Sequence, residues 1–291
     1  MNANDGTMIP QSGFADVVAG VGTWTVGVDA RRRYGATGIV WAEGVVITAD
    51  HVVERDEDIV VTLPDGSEVS ATLAGRDPAN DLAVLRVDGA TTVAPRADTA
   101  RVGDICLAIG RAGGTLSASL GIVSAIGTIW RRRRGGMRRQ VVRPDVTLYP
   151  GFSGGPLINA AGAMIGMSSS GRGGVVAVPV AEIEPIVNEL LTHGRRRRAF
   201  LGMTSQPVAL PTAQASGQES GLLVVGVAPE SPAATGGLMV GDIVIGIGDA
   251  AIRDTDDLRE ALSSDLAGKS VQIHLLRGGS EQTLDVTVGE Q

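Results

Sequence analysis

Short apolar runs rich in valine and isoleucine, broken by glycine-containing turns, pattern the first part of the chain. Thr23–Val28, Gly38–Ala42, Gly44–Thr48, Ile59–Leu63 and Glu68–Leu73, the last after a Pro64-Asp65-Gly66 turn, predict the strands of one antiparallel barrel ending at Leu82–Val87. A second set begins near Asp104 and comprises Ile105–Ile109, Leu116–Ile126, Leu157–Ile158, Ala163–Ser168 and Gly174–Val178. The period then changes. Val180, Ile183, Ile186, Val187, Leu190 and Leu191 fall at helical spacing and predict a closing helix over Pro179–Leu191.

The polar, basic stretch Thr192–Arg198 marks a linker, and a further β-rich segment starts at Phe200. There Gly221–Val227 and Asp242–Ile247 read as strands and Pro232–Gly237 as a short helix and turn. Asp254–Ser263 reads as an amphipathic helix with Leu258, Ala261 and Leu262 on one face, and two more strands reach Val288. About ninety residues suffice for an independent module. The expected class is therefore mainly β, a double β-barrel followed by a small α+β domain, divided as 1–194, a linker at 195–199, and 200–291.

Composition supports this picture. The 291 residues provide enough apolar content for two proper cores, and aromatics make up only 3%. The single cysteine, Cys106, lies in an apolar strand, which precludes a disulfide within the chain, excludes a zinc site built from cysteines and predicts a buried, inert thiol. A net charge of −7 argues against nucleic acid as the main partner. Arginines are nevertheless clustered at Arg31–Arg33, at Arg131–Arg134 with Arg138 and Arg139, and at Arg195–Arg198. Solvated loop tips account for them more simply than contact with an anionic partner, although the second run is expected to lie on a loop before Ser153. Met1–Gly13 has neither a basic start nor an apolar run of signal-peptide length, and no transmembrane segment is present. The expected location is cytoplasmic, or extracytoplasmic if an export signal is missing.

Three segments carry chemistry: His51 within Thr48-Ala49-Asp50-His51-Val52-Val53, Asp81 within Ala79-Asn80-Asp81-Leu82, and Ser153 within Gly151-Phe152-Ser153-Gly154-Gly155-Pro156. A serine hydroxyl is a poor nucleophile until an imidazole removes its proton, and the imidazole works best when a carboxylate holds its far nitrogen. Gly151–Gly155 also fits the nucleophile elbow of α/β-hydrolases, but there the acid and histidine follow the serine. The order His, Asp, Ser is that of chymotrypsin-like barrels. The other two histidines have simpler readings, His193 at a helix end before Gly194 and His274 at an outward strand position.

These segments, with Asp77-Pro78 before Asp81 and Leu120-Gly121-Ile122-Val123-Ser124 before the serine loop, resemble the HtrA (DegP-like) family of serine proteases. The tail resembles that family's PDZ domain, on Phe200-Leu201-Gly202-Met203, Ser231-Pro232-Ala233-Ala234 and Gly237-Leu238 with Gly241-Asp242-Ile243-Val244. The resemblance implies an ATP-independent endopeptidase acting on unfolded or damaged proteins, without cofactor or metal, whose PDZ domain captures hydrophobic C-termini and which assembles as a homotrimer. It makes Ser153 the nucleophile, His51 the general base and then acid, and Asp81 its orienting partner. Backbone N–H groups of Gly151 and Ser153 would form the oxyanion hole; a glycine at 151 suits the sharp turn this needs.

Thr147, Leu148, Ser168, Ser169 and Ser170 are expected to line the pocket for the residue before the scissile bond. The absence of a carboxylate among them predicts preference for small or medium apolar residues. Phe200, Leu201, Gly202 and Met203, with Leu258 and Leu262, are the expected peptide-binding residues of the PDZ domain. The chain departs from the family pattern at Arg143, Pro144, Tyr149 and Phe152, where glutamine, threonine, asparagine and asparagine are expected. Pro144 lacks a backbone donor and Phe152 adds a bulky apolar group, so the resting geometry of the serine loop is the open point. A non-proteolytic chaperone or peptide-binding scaffold is the alternative reading, and an α/β-hydrolase esterase is disfavoured by residue order and by the absence of βα alternation.

Overall fold

The computed structural model describes residues 13–32, 34–97, 99–130, 138–171, 174–195, 199–210, 218–262 and 266–290. The chain divides into two compact units, with the division falling between residues 196 and 197.

The first unit starts with helix α1 (Gly13–Gly22), which buries Val21, and Thr25 caps its end by donating from Oγ1 to Val21 O (2.9 Å). Strands β1 (Thr25–Asp29), β2 (Ala36–Ala42), β3 (Val45–Thr48), β4 (Ile59–Thr62), β5 (Glu68–Asp77) and β6 (Leu82–Val87) close a barrel in the order β1-β2-β3-β6-β5-β4. Six more, β7 (Ile105–Gly110), β8 (Ser117–Trp130), β9 (Arg138–Asp145), β10 (Pro156–Asn159), β11 (Met164–Gly171) and β12 (Gly174–Pro179), close a second barrel as β10-β11-β12-β9-β8-β7. Closure leaves no sheet edge exposed. Side chains such as Ile39, Ile47, Leu82 and Leu85 in one barrel and Ala108, Leu157 and Ala177 in the other are fully buried.

Two elements differ from the sequence expectation. Helix α1 was not expected, although Phe14, Val17, Val18 and Val21 fall at helical spacing and pack on the core. Strand β9 carries arginines across the stretch where a loop was expected to extend as far as Arg139, and it pairs along β8 from Ile122↔Asp145 to Trp130↔Arg138. Only Val141 and Val142 give β9 an apolar signature, and both are buried. Pro144 lies in this strand opposite Val123. Residues Arg33, Arg131–Arg134 and Arg196–Arg198 lie outside the described residues.

Helix α2 (Val180–His193) buries Ile183, Ile186, Val187 and Leu190. Gly194 ends it with φ +71°, its N–H bonded to Leu190 O (2.9 Å). A side chain at Gly75 on β5 would begin 2.5 Å from Gly194 O, so helix and strand meet backbone to backbone.

The second unit has its own core of Leu222, Val224, Val244, Ile273, Leu275 and Val286. Its strands are β13 (Ala199–Phe200), β14 (Met203–Ala209), β15 (Ser220–Val227), β16 (Ile243–Ile247), β17 (Ala250–Ala251), β18 (Ser270–Arg277), β19 (Ser280–Thr287) and β20 (Gly289–Glu290), with helices α3 (Pro232–Thr235) and α4 (Thr255–Ala261). The main sheet runs β14-β15-β16-β18-β19, which leaves β14 as an edge strand. Asp254 caps α4 by accepting from the N–H groups of Asp256 and Asp257 (2.8 and 2.9 Å), and Ser231 caps α3. Buried Asp242 accepts from Arg277 (2.7 and 2.8 Å) and from Met239 N (2.8 Å), which fixes the turn into β16.

Candidate active site

His51 follows β3 on a single 3-10 turn, Asp50–Val52. Arg76 on β5 pins that turn: its Nε donates to Asp50 Oδ1 (2.6 Å), Nη1 to Asp56 Oδ1 (2.9 Å) and Nη2 to Val53 O (2.9 Å). Asp81 stands just before β6 with φ +55°, a left-handed conformation that aspartate tolerates better than most residues. The turn before it is tied by Asp77, whose Oδ1 accepts from Ala79 N (3.0 Å) and whose Oδ2 accepts from Asn80 Nδ2 (2.5 Å).

The His51 ring nitrogen Nδ1 lies 2.8 and 2.9 Å from the two Asp81 oxygens, and His51 N donates to Asp81 Oδ1 (3.0 Å). A carboxylate on that side keeps the proton on Nδ1 and leaves the Nε2 lone pair free to act as a base. Ser169 Oγ donates to Asp81 Oδ2 (2.5 Å). Burial alone would raise the Asp81 carboxyl pKa, but the bonds and charge offered by His51, together with the Ser169 hydroxyl, outweigh it and hold the group below the usual carboxylate range.

Ser153 sits in the loop between β9 and β10, and its glycines answer specific demands. Gly151 has φ +91°, and a Cβ there would fall 2.2 Å from Ala112 Cβ. Gly154 has φ +85°, and a Cβ would fall 2.2 Å from Thr37 O on β2. The loop is stitched to both barrels. Thr37 N donates to Ser153 O (3.3 Å), Thr37 Oγ1 to Gly151 O (2.6 Å), Gly154 N to Ser168 O (2.9 Å) and Phe152 N to Tyr149 O (3.1 Å). Thr37 Oγ1 in turn accepts from Arg111 N (2.8 Å). Among the described residues the N–H groups of Gly151 and Ser153 have no partner. Ser153 Oγ pairs with Ser170 Oγ (3.2 Å), and no hydrogen bond joins it to His51 among the described residues.

The structure thus gathers His51, Asp81, Ser153, Ser169 and Ser170 into one place. Thr147 is exposed, its N–H bonded to Ser119 Oγ (3.0 Å), while Leu148 is half-buried beside Phe152. Ser168 is fully buried, its hydroxyl without a partner among the described residues, and the Ser169 hydroxyl is turned to the acid. Sequence reasoning missed Ser169 as a partner of Asp81, and the clamp of Arg76 on Asp50. A run of three serines carries no signal for which one faces the acid, and an arginine's partner 26 positions away leaves no local trace. Cys106 is buried, and burial, with Asp145 adding a smaller push, raises its thiol pKa to about 11.

In the second unit Leu201 is buried and Met203, Leu258 and Leu262 are half-buried against the same core. Phe200 lies on β13, paired with β20. Gly202 has φ +76°, and a Cβ there would fall 2.3 Å from Ser231 Cβ. The carbonyls of Leu201 and Gly202 are occupied by Ala233 N and Ala228 N (2.8 Å each).

Two family models match the chain, a trypsin-like peptidase domain over residues 36–167 and a PDZ domain over 208–288. A probable periplasmic serine endoprotease, DegP-like, of Pseudomonas putida is 35% identical over 271 residues, covering 89% of this chain and 56% of the relative. One of the same description from Halomonas elongata is 32% identical over 275 residues, covering 90% and 57%. The chain therefore spans a little over half the length of the curated relatives it matches. Among solved structures, the HtrA-type protease AlgW with a decapeptide aligns at TM-score 0.78 and 26% identity over 96% of this chain and 98% of that one. The serine endoprotease from Yersinia pestis aligns at 0.79 and 26%, with the same coverage. The expectation of a cytoplasmic location is corrected by these names: the close relatives are described as periplasmic. No helix among the described residues is long and apolar enough to cross a membrane. A double barrel carrying His, Asp and Ser in that order and followed in sequence by a PDZ domain makes this chain similar, in both parts, to the HtrA-type, DegP-like serine proteases.

Proposed function

We propose that the chain is a serine endopeptidase that cleaves unfolded or damaged polypeptides without ATP. His51 Nε2 takes the proton of Ser153 Oγ as the oxygen attacks the substrate carbonyl carbon. The negative charge that develops on the carbonyl oxygen is met by the N–H groups of Gly151 and Ser153. His51 then gives the proton to the departing amine, leaving an acyl-enzyme. Water repeats the sequence, giving its proton to His51 and its oxygen to the acyl carbon, and Ser153 is regenerated. Asp81 fixes the imidazole tautomer throughout and steadies the imidazolium.

The observation that carries this reading is the hold of both Asp81 oxygens on His51 Nδ1, beside a serine loop in which the Gly151, Phe152 and Ser153 carbonyls are bonded while the Gly151 and Ser153 N–H groups have no partner among the described residues. Thr147, Leu148 and the backbone at Ser168–Ser170 form the pocket for the residue before the cut. With no carboxylate among them, cleavage falls after small or medium apolar residues. Sequencing the products of an unfolded substrate by mass spectrometry tests this; dominant cuts after lysine or arginine would contradict it.

Residues 1–194 form the peptidase domain, 195–199 the linker and 200–291 the PDZ domain. Strand β14 has a free edge and lies beside α4, so an extended hydrophobic C-terminus adds to that edge, with its last side chain toward Leu258 and Leu262 and its carboxylate at Phe200–Met203. The assembly is a homotrimer. A second reading, a scaffold that binds but does not cut, draws on the pairing of Ser153 with Ser170 rather than with His51. Reaction with a fluorophosphonate probe separates the two, since it needs both a live nucleophile and an oxyanion hole. Labelling abolished in S153A supports the peptidase, and a wild-type chain that resists the probe under all conditions supports the scaffold.

A further inference from the structure

Phe152 is the bulky apolar residue next to the nucleophile, and the residue is 3% exposed. It does not crowd the site. It enters the core of the second barrel among Cys106, Ala108, Val123, Leu157 and Ala177. The last residue of β7 is shaped to receive it: a Cβ on Gly110 would lie 2.4 Å from Phe152 Cδ1 and 2.7 Å from Cε1, so any other residue at 110 would displace the ring. Gly110 has no positive φ, so its smallness answers a need for room rather than for backbone freedom. Tyr149, three residues earlier, meets the ring edge to face at 5.5 Å between centroids. The backbone closes around the same residue, with Phe152 N bonded to Tyr149 O (3.1 Å) and Gly155 N to Phe152 O (2.9 Å).

We infer that Phe152 is a positioning residue: its ring, seated on Gly110, holds the serine loop in a competent form, with the Gly151 and Ser153 N–H groups free, before any peptide is bound. The inference rests on the endopeptidase reading. A loop held only by backbone bonds at the surface shares its population between competent and collapsed forms. A loop whose central side chain is part of a barrel core cannot rearrange without withdrawing an aromatic ring into water. A polar side chain at 152 has no partner among the alanines, valine and leucine of that core. It would leave for solvent, and the loop would go with it.

The experiment measures the fluorophosphonate labelling rate at Ser153, and kcat and KM on an unfolded substrate, for the full chain and for F152N, F152L and G110A. Each is assayed with and without a hydrophobic C-terminal peptide, alongside its melting temperature. The wild-type chain is expected to label without peptide and to gain less than twofold on adding it. F152N and G110A are expected to lose roughly 10- to 100-fold in labelling and kcat at little cost in KM, since one oxyanion donor alone is worth about 10² to 10³. F152L, apolar and able to fill most of the socket, restores most of the rate. G110A keeps Phe152 and displaces it from the other side, so the test stands if F152N does not fold. Wild-type labelling that needs the peptide, or F152N reacting as fast as wild type, overturns the inference while leaving the endopeptidase reading intact. Parallel losses in rate and melting temperature that F152L does not rescue overturn it too, reducing the ring to a structural role. A wild-type chain that never labels overturns both.

Discussion

Asp81 is buried yet keeps its charge because three groups surround it: the His51 ring, His51 N–H and the Ser169 hydroxyl outweigh desolvation. Its carboxyl therefore titrates lower in the folded chain than in the unfolded one. By linkage, the stability it contributes is fully present above about pH 4, the unfolded value, and is lost as pH falls through the depressed folded value. Asp242, held low against its own burial by Arg277, adds a loss of the same sign in the second unit. Acid titration of unfolding should show stability falling below about pH 4, and D81N should remove the part due to Asp81. The same substitution leaves His51 without its orienting acceptor and lowers kcat by about 10³ to 10⁴. Ser170→Ala removes the present partner of Ser153 Oγ and frees it to turn to His51, and labelling should rise about two- to tenfold. A fall would mean that Ser170 donates to the reacting oxygen instead. His51, Asp81 and Ser153 were legible in the sequence because each stands in a short segment of restricted type. Ser169 was not, because its role depends on which of three adjacent hydroxyls faces a carboxylate 88 residues away.

Among the elements, the strands of the first barrel follow their short valine- and isoleucine-rich runs, and α2 follows its helical spacing to the glycine that stops it. Strand β9 did not read as a strand because its neighbours on β8 and β12 hold it with backbone bonds, while its own side chains are largely polar or charged. Local pattern reports only burial, and β9 buries little beyond Val141, Val142 and Pro144. Helix α2 offers a clean test of packing. Leu190 is fully buried, so Leu190→Ala should cost about 2 to 5 kcal/mol in unfolding free energy, measured with denaturant. A cost below 1 kcal/mol would show that α2 is not seated on the barrel as described. Arg76→Ala should act more locally. It frees Asp50 and the 3-10 turn, lowering kcat through His51 while β5 stays folded.

At the scale of the molecule, two units each carry a separate core, and the sequence does not show how either unit is tied together. The order of the reactive residues separated a two-barrel protease from an α/β-hydrolase, which is a topological statement that a linear sequence can carry. Whether the serine loop could be competent was not legible, since Phe152 reads as an intrusion until Gly110, 42 positions earlier, is seen to make room for it. The proposed endopeptidase activity requires His51, Asp81 and Ser153 to form a working nucleophile at the junction of the barrels. The most direct measurement is fluorophosphonate labelling of the full chain with the modified residue located by mass spectrometry. A single adduct on Ser153 is expected, lost in S153A and strongly slowed in D81N; an unlabelled wild-type chain, or an adduct on any other residue, would contradict the endopeptidase reading.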